Sequence, residues 1–149
     1  MFISRTRDKK TILKVLKHPK VWPWISDDCS PENYTPLLQE NVIYLTEESK
    51  MGIIRIDPMN GICGSVHIST RPELWGKTVE FADLAKAWTF KHTRYMKLVA
   101  MVPSYNRLAL RLIKKLGFEC EGTIKKSLLK NWELHDVILF GLNKVGKVG

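Results

Sequence analysis

The run 102-VPSYNRLALRLIKKLGFECEGT-123 decides the fold. It opens at the end of a β-branched, apolar stretch, KLVAMV (97–102), which reads as a buried strand broken at Pro103. Leu108, Leu112, Ile113 and Leu116 then recur at helical spacing, which predicts a helix from about Tyr105 with these four facing inward. Gly117 is a natural stop, because a helix C-terminus favours a residue tolerant of the left-handed conformation. FECEG (118–122) predicts a short strand, and WELHDVILFGL (132–142) a long final one.

Upstream of this run the period changes twice. Phe81, Leu84, Ala85 and Trp88 mark an amphipathic helix, with Glu80 and Asp83 early and Lys91, His92 and Arg94 late, as the helix dipole prefers. Before it come three strands, VIYLT (42–46), GIIRI (52–56) and ICGSVHIS (62–69), the last two joined by the turn 57-DPMNG-61. On the third strand, alternation predicts Ile62, Gly64, Val66 and Ile68 toward the core and Cys63, Ser65, His67 and Ser69 on a polar side. Near the N-terminus, Asp8 caps an expected helix with Ile12, Leu13 and Leu16 on one side, stopped by Pro19. The segment 19-PKVWPWISDDCSPENYTP-36 reads as a loop whose two tryptophans are either packing anchors or a substrate wall. This order of elements is mixed α/β with a central sheet.

Composition narrows the class. A chain of 149 residues suits one domain, and 44% hydrophobic with 26% charged residues excludes a disordered chain or a fibre. The formal charge of +9 favours anionic partners: nucleic acid, an anionic surface or a phosphate-bearing ligand. Cys29, Cys63 and Cys120 are an odd, widely spaced set, and His18, His67, His92 and His135 show no metal-ligand spacing, so neither disulfides nor a metal is expected. MFISRTRDKK does not read as a signal peptide, and the apolar runs are far below the roughly 20 residues of a membrane helix. The expectation is a cytoplasmic protein without a membrane partner.

The segment 70-TRPELWGKT-78 joins a strand to a helix start and carries Arg71, Gly76 and Lys77. Free amides and the positive end of a helix dipole suit a phosphate there, although the spacing is neither a Walker motif nor a dinucleotide fingerprint.

Asn106 ahead of an apolar helix, followed by Leu116, Gly117, Phe118, Glu121 and Gly122, resembles the GNAT superfamily of acetyl-coenzyme A-dependent N-acetyltransferases, and most of all the branch that includes ribosomal-protein N-terminal acetyltransferases. The resemblance covers about residues 52–143. It implies one α/β (α+β) domain over residues 1–149, with a mixed, mostly antiparallel sheet flanked by helices and splayed between the fourth and fifth strands. It also implies acetyl-CoA as co-substrate, an amine-bearing acceptor (a protein N-terminus or a small molecule), no metal, and a monomer or homodimer. The cofactor positions it implies are Ile68, Arg71, Trp75, Gly76, Lys77, Thr78 and Asn106. The family's Arg/Gln-x-x-Gly-x-Gly/Ala pattern falls on Glu73-Leu74-Trp75-Gly76-Lys77-Thr78, which keeps the central glycine and departs at Glu73 and Thr78.

Direct acetyl transfer requires a base for the amine and an acid for the departing thiolate. Some members carry a glutamate, a tyrosine or a serine where this chain has Met101, Ile113 and Ala109. His67 is the candidate base, since an imidazole titrates near pH 7. Ser104 and Tyr105 are the candidate acids, and a water relay is the alternative. His135 and Asp136 are adjacent on a strand and point to opposite faces. The resemblance places the acceptor pocket among Trp22, Trp24, Asp27, Asp28 and Glu32, and Lys130, Asn131 and Trp132 opposite. Two other readings compete. One is an inactive GNAT-like module that binds CoA or a protein. The other is a nucleic-acid-binding protein using Lys9, Lys10, Lys14, Lys17 and Lys20 with 125-KKSLLK-130.

Overall fold

Isoleucines and valines alternating with polar residues build strands that need partners on both edges and covers on both faces. The computed structural model, which describes residues 1–145, shows how this chain supplies them. Strands β1 (Ile3–Arg5), β2 (Ile43–Glu47), β3 (Gly52–Pro58), β4 (Cys63–Thr70), β5 (Lys97–Pro103), β6 (Glu119–Lys130) and β7 (Glu133–Asn143) form one seven-stranded sheet in the order β1-β2-β3-β4-β5-β7-β6. Every neighbouring pair is antiparallel except β4 and β5, which run parallel. The expected mixed, mostly antiparallel sheet is therefore present.

Helices cover both faces. On one, α3 (Thr78–His92) and α4 (Arg107–Lys115) pack Phe81, Ala85 and Ile113 on Ile54, Ile56, Leu98, Ala100 and Phe140. On the other, α1 (Lys9–Leu16) packs Ile12, Val15 and Leu16 on Val42, Tyr44 and Ile53. Asp8 caps α1 by accepting from the Lys10 amide at 3.3 Å, and Asn106 caps α4 by accepting from the Ala109 amide at 3.2 Å. Gly117 holds φ at +88°, the left-handed stop expected of it.

Several expectations are corrected. Ile62 lies before β4 and is exposed, whereas Cys63, Ser65 and Ser69 are buried; the supposed polar side of β4 is not open to solvent, and α1 lies against this strand. A one-turn helix α2 (Trp22–Ile25) follows α1. Leu108 is 73% exposed: α4 begins only at Arg107, and its buried stripe runs through Ala109, Leu112, Ile113 and Leu116. On α1 it is Val15, not Leu13, that joins Ile12 and Leu16 in the core. The strand expected over 118–122 continues to Lys130 and absorbs KKSLLK, with register shifts between Cys120 and Gly122 and between Ile124 and Leu128. Such bulges break the two-residue alternation by which a strand is read from sequence. The loop over 19–36 contains the one-turn helix α2, and Ile3–Arg5 adds an edge strand.

Candidate active site

The parallel junction is short. Pairing between β4 and β5 runs through Cys63↔Lys97, Gly64↔Leu98 and Ser65↔Val99, and there it stops. Each strand continues on its outer partner, β4 along β3 as far as Thr70 and β5 along β7 as far as Pro103. The sheet is thus split, and the edge of β4 from Val66 to Thr70 faces a gap with its peptide groups unclaimed by a neighbouring strand. A cavity of about 440 Å³ fills the split and passes through the sheet. Its lining on the α3/α4 side includes Ala82, Ala85, Ala109 and Ile113, and on the α1/α2 side Trp22, Trp24, Asp27, Tyr34 and His67. Two molecules could therefore meet in the gap from opposite faces.

At the foot of the split, a 3-10 turn over Pro72–Lys77 leads into α3. Neither the turn nor α3 has a side-chain cap, so the first amides of this 15-residue helix are left without a side-chain partner, although Glu80 lies in its first turn. A Cβ built on Gly76 would meet no heavy atom within 4 Å, so packing does not require a glycine there. Around it, Trp75 Nε1 donates to the Thr70 carbonyl at 3.1 Å, and Thr78 Oγ1 donates to the Trp75 carbonyl at 3.2 Å. Glu73, the departure from the family pattern, is ion-paired with Arg71 at 3.0 Å. That pairing neutralises the carboxylate and also occupies the guanidinium. Lys77 is exposed. An extended pantetheine-like arm along β4 and a pyrophosphate at the turn fit these residues, with Ile68 and Asn106 in the wall of the split and Arg71, Trp75, Gly76, Lys77 and Thr78 outside it on the turn.

His67 lies in the cavity wall and its side chain is 48% exposed. Tyr105 and Asn106 line the same cavity. Tyr105 packs edge-on against His135, ring centroids 4.8 Å apart. Burial, with the charges of Asp27 and Asp28 adding to it, pushes the Tyr105 hydroxyl above its ordinary range, which keeps it a proton donor. Ser104 is placed differently: its amide donates to the Asp136 carbonyl at 2.9 Å, and the residue is not part of the cavity wall. Met101, Ala109 and Ile113 all line the cavity, so the positions that carry glutamate, serine or tyrosine elsewhere present no titratable group here.

Sequence reasoning missed Arg55 and Asp57. The β3–β4 register sets Arg55 opposite His67 and Asp57 opposite Ser65, all four on one face. Arg55 Nε donates to Asp57 Oδ1 at 2.9 Å, and Asp57 Oδ2 lies 3.5 Å from His67 Nε2. Burial alone would push the Asp57 carboxyl up, but its bonds to His67 and Arg55 outweigh that and hold it below the usual carboxylate range. The alternation of Ile54 and Ile56 with Arg55 and Asp57 is visible in the sequence, but the register that selects His67 as their neighbour is not.

The acceptor candidates divide. Trp22, Trp24 and Asp27 line the cavity. Trp22 tilts on Tyr34 with centroids 5.5 Å apart, a packing contact of the kind an anchor makes, and both tryptophans border the cavity. Asp28 instead accepts from the amides of Asn131 and Trp132 at 2.9 and 2.7 Å, and Lys130 Nζ donates to the Ser26 carbonyl at 2.8 Å. These contacts pin the tip of the β6–β7 hairpin to the segment after α2, and Asp28, Lys130, Asn131 and Trp132 are not part of the cavity wall. Glu32 is exposed and outside the cavity wall. Among the described residues no group of three or more His, Cys, Asp or Glu is placed to hold a metal ion, and no helix is long and apolar enough to cross a membrane.

No protein-family model and no curated protein matches the sequence. Solved structures do match. A point mutant of the spermidine N-acetyltransferase SpeG from Vibrio cholerae superimposes with a TM-score of 0.76 at 15% identity over 96% of this chain and 95% of that one. The ribosomal-protein-S5-alanine acetyltransferase from Vibrio fischeri gives 0.74 at 20% identity, over 98% and 94%. An acetyltransferase of the GNAT family from Bacillus anthracis gives 0.59 at 18% identity, over 69% and 66%. At such identities the likeness is one of fold, a mixed sheet flanked by helices.

Proposed function

We propose that this chain, built on the GNAT fold, moves an acetyl group from acetyl-CoA to a primary amine by direct attack. The observation that carries the reading is the split between β4 and β5, with an uncapped helix start at one end and a cavity lined from both faces of the sheet. Acetyl-CoA, when bound, supplies the activated thioester. On the chain, Gly76, Lys77 and Thr78 with Trp75 and Arg71 would hold the pyrophosphate, and the Val66–Thr70 edge with Ile68 and Asn106 the pantetheine arm. His67 would take the proton from the incoming amine, and Tyr105 would give its hydroxyl proton to the leaving sulfur. Trp22, Trp24, Tyr34 and Asp27 form a wall that suits a cationic amine, by ring faces and one carboxylate. The two named neighbours act, by their names, on spermidine and on a ribosomal-protein alanine, both amine acceptors.

The test begins with thermal unfolding in the presence of acetyl-CoA, with ATP as a phosphate control. Saturation at about 100 times Kd adds roughly 2.7 kcal/mol to the native state, a rise of several degrees for a chain of this size. A rise specific to acetyl-CoA, followed by thiol release on adding spermidine or an alanine-initiated peptide, supports the reading. No rise at millimolar acetyl-CoA would sink it and favour a binding module, for which salt-dependent nucleic-acid binding is the next measurement.

A further inference from the structure

His67 borders the cavity on one side and its own sheet on the other. Its Nε2 lies 3.5 Å from Asp57 Oδ2 and 3.5 Å from Ser65 Oγ, so both polar neighbours converge on one ring nitrogen. Asp57 is not part of the cavity wall, whereas His67 and Arg55 are. The carboxylate is held in turn, since Arg55 Nε and a terminal guanidinium nitrogen both reach Asp57 Oδ1 at 2.9 Å. Arg55 is steadied by the Tyr34 hydroxyl at 3.5 Å and lies 5.8 Å from the centroid of the Tyr44 ring. The result is a line of contacts running from β2 and the Tyr34 segment through β3 to a histidine on β4.

From this geometry we propose that Asp57 is a positioning residue for His67: it accepts the proton of Nε2, fixes the ring in that tautomer and leaves the Nδ1 lone pair for the acceptor amine. The inference rests on the reading of His67 as the base. The chemistry balances without a co-reactant, since Nδ1 receives one proton from the amine and the resulting imidazolium is stabilised by the carboxylate behind it. Contacts of this kind are long in the absence of substrate and tighten as the charge develops. Arg55 serves the arrangement by keeping Asp57 ionised. The other titratable groups that line the cavity are Tyr34, Tyr105, Asp27 and Lys86, and Tyr44 lies beneath Arg55. Both Tyr44 and Tyr105 have hydroxyls pushed upward by burial, Tyr44 to about 12, so neither changes charge where an imidazole titrates.

The test is the nitrogen-15 spectrum of His67 in the full chain without ligand, followed against pH in the wild type, Asp57→Asn and Asp57→Glu. The expected result is a neutral wild-type ring protonated at Nε2, with an imidazolium pKa at least half a unit above that of Asp57→Asn and largely restored in Asp57→Glu. In parallel, the ascending limb of kcat/KM against pH moves down with the ring pKa in Asp57→Asn, with kcat reduced several-fold and KM little changed. A wild-type ring protonated at Nδ1, or equal ring titrations in wild type and Asp57→Asn, overturns the proposal. The tautomer measurement needs no variant, so it decides even if Asp57→Asn fails to fold. A ring coupled to Asp57 in a chain that transfers no acetyl group overturns the acetyltransferase reading and leaves the pairing standing.

Discussion

Two glycines in one neighbourhood separate packing from ligand binding. Gly52 opens β3 opposite Thr70, and a Cβ there would sit 2.6 Å from Phe81 Cε2 and 2.7 Å from Leu74 Cδ2. Phe81 is fully buried and Leu74 is 4% exposed, so neither can swing into solvent to make room. To reach ordinary contact at 3.4 Å the ring must retreat by about 0.8 Å, taking α3 and the 3-10 turn with it. Overpacking of this kind costs about 1–3 kcal/mol, against roughly 0.5–1 kcal/mol recovered by removing a flexible glycine from a strand. Gly52→Ala should therefore destabilise by about 1–2 kcal/mol and lower Tm by roughly 2–8 °C. Gly76→Ala has open space above it, so its Tm should stay within about 1 °C of wild type. The same methyl would occupy the approach to the turn, and acetyl-CoA should bind about tenfold more weakly, roughly 1.4 kcal/mol. Thermal unfolding by circular dichroism and titration calorimetry measure the two quantities. An unchanged Tm in Gly52→Ala would refute the packing argument, and unchanged affinity in Gly76→Ala would refute the placement of the pyrophosphate.

Three further outcomes are expected. Asp28→Ala releases two exposed hydrogen bonds at the hairpin tip and should cost about 1 kcal/mol or less, but hydrogen exchange at the Asn131 and Trp132 amides should quicken well beyond the global change. Tyr105→Phe should lower kcat about 10- to 100-fold with little change in KM, because only the proton handed to the leaving sulfur is lost; a wild-type kcat removes Tyr105 from the mechanism. Asp57 has its folded-state pKa held below the unfolded value near 3.9, so its contribution to stability is present above that pH and is lost as pH falls through the folded value. Urea midpoints should therefore fall more steeply between pH 5 and pH 2 in the wild type than in Asp57→Asn, and parallel curves would contradict the pairing.

Much of this protein is legible in its sequence because the signals are local. Helical spacing placed α3, Asp8 and Asn106 mark helix starts, and Gly117 marks a stop by a conformation that other residues resist. The strands around Ile54, Ile68 and Leu98 announce themselves by β-branching, and the turn at Gly76 by its place between strand and helix. Other features exist only across the sheet. Register decides that Arg55 and Asp57 meet His67, and a strand carries no record of which residue its neighbour will set opposite. Bulges extended β6 to Lys130 past the point where alternation fails, and they delivered Asn131 and Trp132 to Asp28, more than 100 residues away in the chain. Leu108 fits the helical spacing of Leu112 and Leu116, yet in the first turn of α4 it meets no covering element and is exposed. Short-range propensity and periodicity are written residue by residue, whereas the split in the sheet, the pinned hairpin tip and the carboxylate behind the histidine come from pairings that close only when the whole chain has folded.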